Sequence, residues 1–312
     1  MLTIFSMPKA FLGHIRTIQR NAIQSWTLLS PKPEIILFGS DEGTKEVAEE
    51  FGLRHVPQVA VNKHGTPLLS DLFRQAERES LPGLMCYVNA DIVLLSNFAD
   101  AIGQASKCFT QFLLVSQRVN LDVTEPIAFQ TGWETSLKVR SQDSGSPGHT
   151  AIDVFVFPKG TYPNVPDFGL GRLWFDQWLI KAAVQSGIPV VDLSRVAPVI
   201  HQNHDYNHVP GGADQVWRGP EADQNLRFYG GVKHAFTLLD VTHELTVDGH
   251  IRRVRLRRGK FGIQQLAWDL FVRRTLKIRN ALRLRRKFWQ ARSRNDTPDS
   301  DSRAKFRCEE VR

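Results

Sequence analysis

Short apolar runs alternate along this chain with longer segments whose apolar residues recur at three- and four-residue spacing. The runs are Leu2–Ser6, Glu34–Phe38, residues 53–56 and Leu84–Val88. Between them, residues 11–29 place Ile15, Ile18, Ala22, Ile23 and Trp26 on one helical face, and Thr44–Phe51 and residues 68–79 continue the pattern. Runs of this kind predict strands buried on both sides, and their alternation with helices predicts βαβ units around a parallel sheet. Further on, the pattern predicts a helix over 97–106, strands over 112–117 and 151–157, a helix over 173–185 and strands over 190–193 and 197–200. A hairpin is expected where 245–247 and 251–256 bracket Asp248-Gly249. Residues 134–150 are polar and end in a Gly/Ser-rich stretch, which predicts a mobile loop near a substrate.

The run Leu84–Val88 ends at Asn89-Ala90-Asp91. Ligands of open α/β sheets bind beyond the carboxyl ends of the strands, where a carboxylate has chemical use. In an extended segment Asn89 and Asp91 would project to one side, a geometry that suits a hard cation and a diphosphate. Asp91 is the leading metal candidate, against the plainer reading of a turn or cap residue. Mg²⁺ or Mn²⁺ needs only one or two protein carboxylates besides phosphate oxygens and water.

The motifs, taken in order, are Ser6–Pro8 after the first strand, Leu69-Ser70-Asp71, Val88-Asn89-Ala90-Asp91, Asp153–Pro158, Asp176-Gln177-Trp178 and His201. This series resembles the nucleotide-diphospho-sugar glycosyltransferases of the GT-A fold over residues 1–235. The resemblance implies a GT-A-like, Rossmann-related α/β fold with a mixed, mostly parallel sheet flanked by helices. It also implies a metal held by an Asp-x-Asp motif, whose first Asp is here Asn89. A late histidine would complete the metal site: His201, which follows a strand, with His204 as the alternative. By the same resemblance Ser6, Pro8, Ser70, Asp71, Asn89 and Asp91 would contact the donor, and Asp153 and Trp174 the sugar or acceptor. An ordinary helix N-cap explains Ser70-Asp71 equally well.

Asp176 sits at the start of a helix among Trp174, Phe175 and Trp178. Inverting sugar transfer needs one carboxylate to take the acceptor's proton, and Asp176 is the candidate base; a favourable helix-dipole position is the bland alternative.

Charge changes the picture at one end. The net charge of the whole chain is +8, but residues 1–250 carry 20 Lys/Arg against 26 Asp/Glu, net −6, and residues 251–312 carry 20 against 6, net +14. Residues 251–292 mix 15 Lys/Arg with Trp268, Phe271, Phe288 and Trp289, which predicts a basic amphipathic helix on an anionic membrane surface in place of a nucleic-acid partner. The expected organisation is a catalytic domain over 1–240, a hairpin extension over 241–258, the basic helix over 259–292 and a disordered tail over 293–312. With no signal-peptide pattern, no apolar window of spanning length and an odd three cysteines (two expected in the core), the expected location is the cytoplasm, peripheral at the inner membrane face.

Two further function classes fit parts of the chain. A nucleotidyltransferase would need a Gly-rich basic loop after the first strand, which residues 6–13 lack. A non-enzymatic scaffold would act through 251–292 alone. The leading expectation is a metal-dependent transferase moving a sugar from a nucleotide-diphosphate donor to a hydroxyl of a glycan or lipid-linked acceptor.

Overall fold

The computed structural model describes residues 1–142, 144, 148–205, 212–231 and 235–254. Its first half is built from β1 (Leu2–Ser6), α1 (Gly13–Thr27), β2 (Glu34–Phe38), α2 (Thr44–Phe51), β3 (Arg54–Val56), α3 (Leu69–Glu79) and β4 (Leu84–Val88). There follow β5 (Ile92–Val93), α4 (Ser96–Ser106), β6 (Leu113–Leu121), α5 (Trp133–Gln142), β7 (Ile152–Pro158), α6 (Phe175–Gln185), β8 (Val190–Asp192) and β9 (Val199–Gln202). The described chain closes with α7 (Gly212–Arg218), α8 (Pro220–Tyr229), β10 (His243–Leu245) and β11 (Ile251–Arg253).

The strands form one sheet in the order β11-β10-β8-β6-β7-β4-β1-β2-β3, with β5 and β9 paired at its side. Pairs β1/β2, β1/β4, β2/β3, β6/β8, β6/β9 and β8/β10 are parallel. Pairs β4/β7, β6/β7, β5/β9 and β10/β11 are antiparallel. The sheet is therefore mixed and mostly parallel, with helices on both faces, the fold class expected from the sequence.

The apolar runs are continuous because both faces of each central strand are covered. In β4, Cys86 and Val88 join a core with Ile23, Trp26 and Leu37, while Met85 and Tyr87 face the opposite core. That second core is aromatic: Phe5 and Phe73 lie edge-on at 5.2 Å, and Phe73 stacks on Phe157 at 5.7 Å. Such pairs add about 0.5–1.5 kcal/mol each beyond the area they bury.

Several expectations are corrected. Residues 134–150 are not one long loop, since α5 occupies Trp133–Gln142; Leu137 drops into a small third core with Val93, Leu121 and Ile200. Strand β6 runs to Leu121, past the expected end at 117, because its last turn of ladder pairs with β9. Helices α7 and α8 were not expected. Cys86 is buried as expected, but Cys108 is exposed. No helix among the described residues is long and apolar enough to cross a membrane. The expected basic helix over 259–292 and the tail over 293–312 lie outside the described residues.

Candidate active site

Three chain segments meet at the carboxyl end of β4. Strand β4 stops at Asn89, whose backbone N–H extends the ladder to the Asp153 carbonyl on β7 at 3.2 Å. The chain then turns, with the Ile92 N–H donating to the Asn89 carbonyl at 3.1 Å. Asn89 and Asp91 are consequently not on one extended face, as the sequence had suggested, and their side chains meet different partners.

Asp91 meets the histidines. Its Oδ2 lies 3.0 Å from His204 Nε2 and 3.8 Å from His201 Nε2. Antiparallel pairing sets Ile92 opposite His201, which brings β9 alongside the turn. One ligand-type atom from each of Asp91, His201 and His204 falls within 4.8 Å of the others. Asp91 Oδ1 and His201 Nδ1 are buried without a hydrogen-bond partner among the described residues. Burial alone would raise the Asp91 pKa, but His201, the hydrogen bond from His204 and the Lys9 ammonium together hold it well below the ordinary carboxylate range. Burial pushes the His201 pKa down, more strongly than Asp91 and Asp153 raise it. A carboxylate with one buried, unpartnered oxygen, grouped with two imidazoles, fits a divalent cation with open positions.

Asn89 meets Asp153. Its amide donates to Asp153 Oδ1 at 2.8 Å and its carbonyl accepts from the Tyr87 hydroxyl at 3.1 Å. Arg118 Nη1 holds the other oxygen, Asp153 Oδ2, at 2.9 Å. Asp153 is therefore a braced group inside the sheet.

Asp176 occupies the first turn of α6. The turn is forced: Trp174, the residue preceding the helix, has φ +91°, and among the described residues it is the one non-glycine in that region. Such a conformation costs on the order of 1–3 kcal/mol and persists only where its surroundings impose it. The Trp174 indole packs on Tyr229 at 5.3 Å, which supplies that constraint. Asp176 Oδ2 accepts from Gln177 at 3.0 Å, whereas Oδ1 is buried with no partner among the described residues. Burial, with the Asp153 charge adding to it, pushes the Asp176 pKa up to about 7 against the pull of nearby backbone amides and Arg118. The Tyr87 hydroxyl, raised well above its usual range first by burial, also feels the charges of Asp153, Asp91 and Asp176.

The remaining sequence candidates lie elsewhere on the same edge. The Ser6 hydroxyl donates to the Val88 carbonyl at 2.6 Å and is buried, tying β1 to β4. Pro8 is buried beside Lys9 at the end of β1. Ser70 donates to Asp167 at 2.5 Å. Neither Ser70 nor Asp71 caps α3, whose N-cap is Leu68; the Asp71 carboxylate instead accepts from the Ala60 N–H at 2.6 Å and from Gln75 at 2.7 Å, and pairs with Arg74. Asp71 lines a cavity of about 650 Å³ with Ser40, Pro57, Ala60, Arg74 and Arg78, at the carboxyl ends of β2 and β3. This cavity does not contain Asp91 or Asp176; β1 separates its strands from β4.

Sequence reasoning ranked His204 behind His201 and did not single out Lys9 or Arg118. No local signal marks Arg118, because it sits in the part of β6 beyond the apolar run.

No family model matches this chain, and no curated protein sequence does. Solved structures do. S. aureus TarS 1-349 in complex with UDP-GlcNAc matches at 11% identity and a TM-score of 0.45, over 67% of this chain and 60% of that one. Glucosyl-3-phosphoglycerate synthase from Mycobacterium tuberculosis, in complex with Mn²⁺, UDP and glucosyl-3-phosphoglycerate, matches at 16% identity and a TM-score of 0.43, over 74% of this chain and 80% of that one. The chain thus spans less than two thirds of the TarS chain, and the likeness is one of fold.

Proposed function

We propose that this chain is a nucleotide-sugar-dependent glycosyltransferase that uses a divalent cation and inverts the transferred sugar. The observation that carries the reading is the pairing of two unlike acids at one sheet edge. Asp91 is held anionic between His201 and His204, and Asp176 is poised near neutrality. Environments that push neighbouring acids apart in pKa mark a division of labour between them.

In this reading the donor lies along the carboxyl ends of β1 to β4. Its nucleoside end takes the cavity at Asp71, Arg74 and Arg78, and its diphosphate reaches toward Lys9 and Asp91. Adjacent strands are about 4.8 Å apart, so the three strand steps from β3 to β4 suit a ligand of nucleoside-diphosphate length. Asp91, His201 and His204 would hold Mn²⁺ or Mg²⁺, which when bound supplies positive charge against the leaving diphosphate. Asp176 would accept the proton of an acceptor hydroxyl as its oxygen attacks C1 from the face opposite the departing phosphate. Asp153, braced by Asn89 and Arg118, would orient sugar hydroxyls beside it, and Trp174 would offer an aromatic face to the acceptor. A glycan or lipid-linked acceptor fits a basic, aromatic segment at 251–292 that would hold the enzyme to an anionic membrane from the cytoplasmic side.

Thermal melts across a panel of nucleotide-diphospho-sugars, each with and without Mn²⁺, test the proposal. At a hundredfold excess over Kd a ligand adds about 2.7 kcal/mol to stability, a shift of several degrees. The expected result is stabilisation by at least one nucleotide-sugar that depends on Mn²⁺ or Mg²⁺. If no nucleotide-sugar or nucleoside diphosphate shifts the melt with either metal, the proposal fails.

A further inference from the structure

Between the two histidines of the proposed metal site lies Gln202, a residue with no exposed surface. Strand alternation turns it to the face opposite His201, toward α1. An amide buried in that setting costs about 1–3 kcal/mol for each polar atom left unpaired, and here none is. Nε2 donates to the Ile18 carbonyl at 2.7 Å and to the Asp91 carbonyl at 3.1 Å. Oε1 accepts from Asn21 Nδ2 at 2.9 Å. The Gln202 backbone N–H also donates to the Asp91 carbonyl, at 3.3 Å.

Asn21, itself buried, is equally committed. Its Oδ1 accepts from the Ile127 N–H at 2.9 Å and its Nδ2 reaches the Glu125 carbonyl at 3.3 Å. Helix α1, the turn carrying Asp91, strand β9 and the segment after β6 are therefore joined through two side-chain amides. The backbone of Asp91 is fixed by the same residue whose neighbours in sequence are His201 and, two further on, His204.

We propose that Gln202, anchored by Asn21, is the positioning residue of the cation site: it sets the Asp91 carboxylate in register with His201 and His204. This rests on the metal reading above, and it assigns a role to side chains that touch neither donor nor cation. Apolar packing would hold β9 against α1 equally well, but it would not define where the Asp91 carbonyl sits. Loss of a group that orients a metal ligand typically weakens metal binding about 10–100-fold.

The test compares the full-length protein with Gln202→Met, which keeps side-chain length and removes the amide, and with Asn21→Ala, which takes away the donor to Gln202 Oε1 without touching Asp91. Mn²⁺ affinity is read from the electron paramagnetic resonance signal of the free ion, and ligand geometry from the visible spectrum of the Co²⁺-loaded protein. The proposal expects Mn²⁺ binding weakened about tenfold or more in Gln202→Met, a smaller loss in Asn21→Ala, and an altered Co²⁺ spectrum in both. A purely structural role would lower Tm and leave affinity and spectrum of the folded protein unchanged; that result overturns the proposal. If Gln202→Met does not fold, Asn21→Ala decides alone by the same two readouts. Failure of the wild type to bind Mn²⁺ or Co²⁺ refutes the metal reading itself, a result distinct from a wild type and variants that bind alike.

Discussion

Replacing Asp176 with asparagine should make the protein more stable and much less active, with the first effect confined to one side of a pH window. The carboxyl is pushed from its ordinary 3.8 up to about 7, chiefly by burial with Oδ1 unpaired. A group whose folded pKa lies above its unfolded value holds its proton longer in the folded state. Below about pH 4 both states are protonated and the residue costs nothing. As pH rises from about 4 to 7 the unfolded chain ionises and the folded one resists, so stability is lost through that interval and stays lost above it. At about 1.4 kcal/mol per pH unit the loss approaches 4 kcal/mol. An asparagine of the same shape never ionises and escapes it, though its amide must find an acceptor where Oδ1 sits.

Urea unfolding of wild type and Asp176→Asn at pH 4, 6 and 8 measures the effect. The stability difference should grow in favour of the variant from near zero to as much as about 4 kcal/mol. Turnover of the variant should drop by about 10²–10⁴, the range for losing a general base. Wild-type turnover should climb with pH to a plateau past the folded pKa of about 7, because only the carboxylate accepts a proton. A stability difference that does not change with pH would refute the burial argument. Near-normal turnover, or a product keeping the donor's anomeric configuration, would refute the role as base.

Three other outcomes are expected. Asp91→Ala should fold and lose Mn²⁺ binding measured by calorimetry, and His204→Ala, which removes the 3.0 Å contact, should weaken it more than His201→Ala; unchanged binding in Asp91→Ala removes that residue from the site. Asn89→Asp should cost about 1–3 kcal/mol at neutral pH, since it replaces the donor on Asp153 with a like charge; the cost should shrink toward pH 4, and equal urea midpoints at pH 7 would contradict it. The full-length protein should co-sediment with anionic vesicles at low salt and release as salt shortens the screening length toward about 8 Å near 0.15 M; a protein ending near residue 250 that sediments equally well would remove residues 251–292 from membrane binding.

The strands of the first half were legible because burial on both faces leaves an unbroken apolar run, and Leu84–Val88 serves two cores at once. Helix α5 was hidden for the opposite reason. Only Leu137 of its ten residues is buried, so there is no apolar stripe to read, and its glutamate and lysine at 134 and 138 mimic a polar loop. The candidate metal cluster was half legible. Asp91 follows a strand and His201, expected just past one, lies within β9 itself, so both can be found by position, whereas His204 lies beyond the end of β9, where alternation no longer says which way a side chain points. Its contact with Asp91 joins residues 113 apart, brought together by the β5/β9 pairing and the Gln202 bonds to the Asp91 carbonyl.

Asn89, standing where the resemblance implies the first acid of the motif, has a physical reason in the fold. An Asp-x-Asp pair presumes that both side chains look outward to one ion. Here the chain turns at Asn89, and the first side chain of the motif looks back along the sheet to Asp153, on a strand antiparallel to its own. A carboxylate there would face another carboxylate at hydrogen-bond distance with Arg118 as the nearest compensation. An amide satisfies Asp153 and Tyr87 together and leaves the charge of Asp153 free to act on Asp176. In the proposed reading, asparagine at this position leaves the second acid, Asp153, acting on Asp176 in place of the cation. In the proposed reading the missing ligand is made up by His201 on β9 and His204 just beyond it, both beside Asp91.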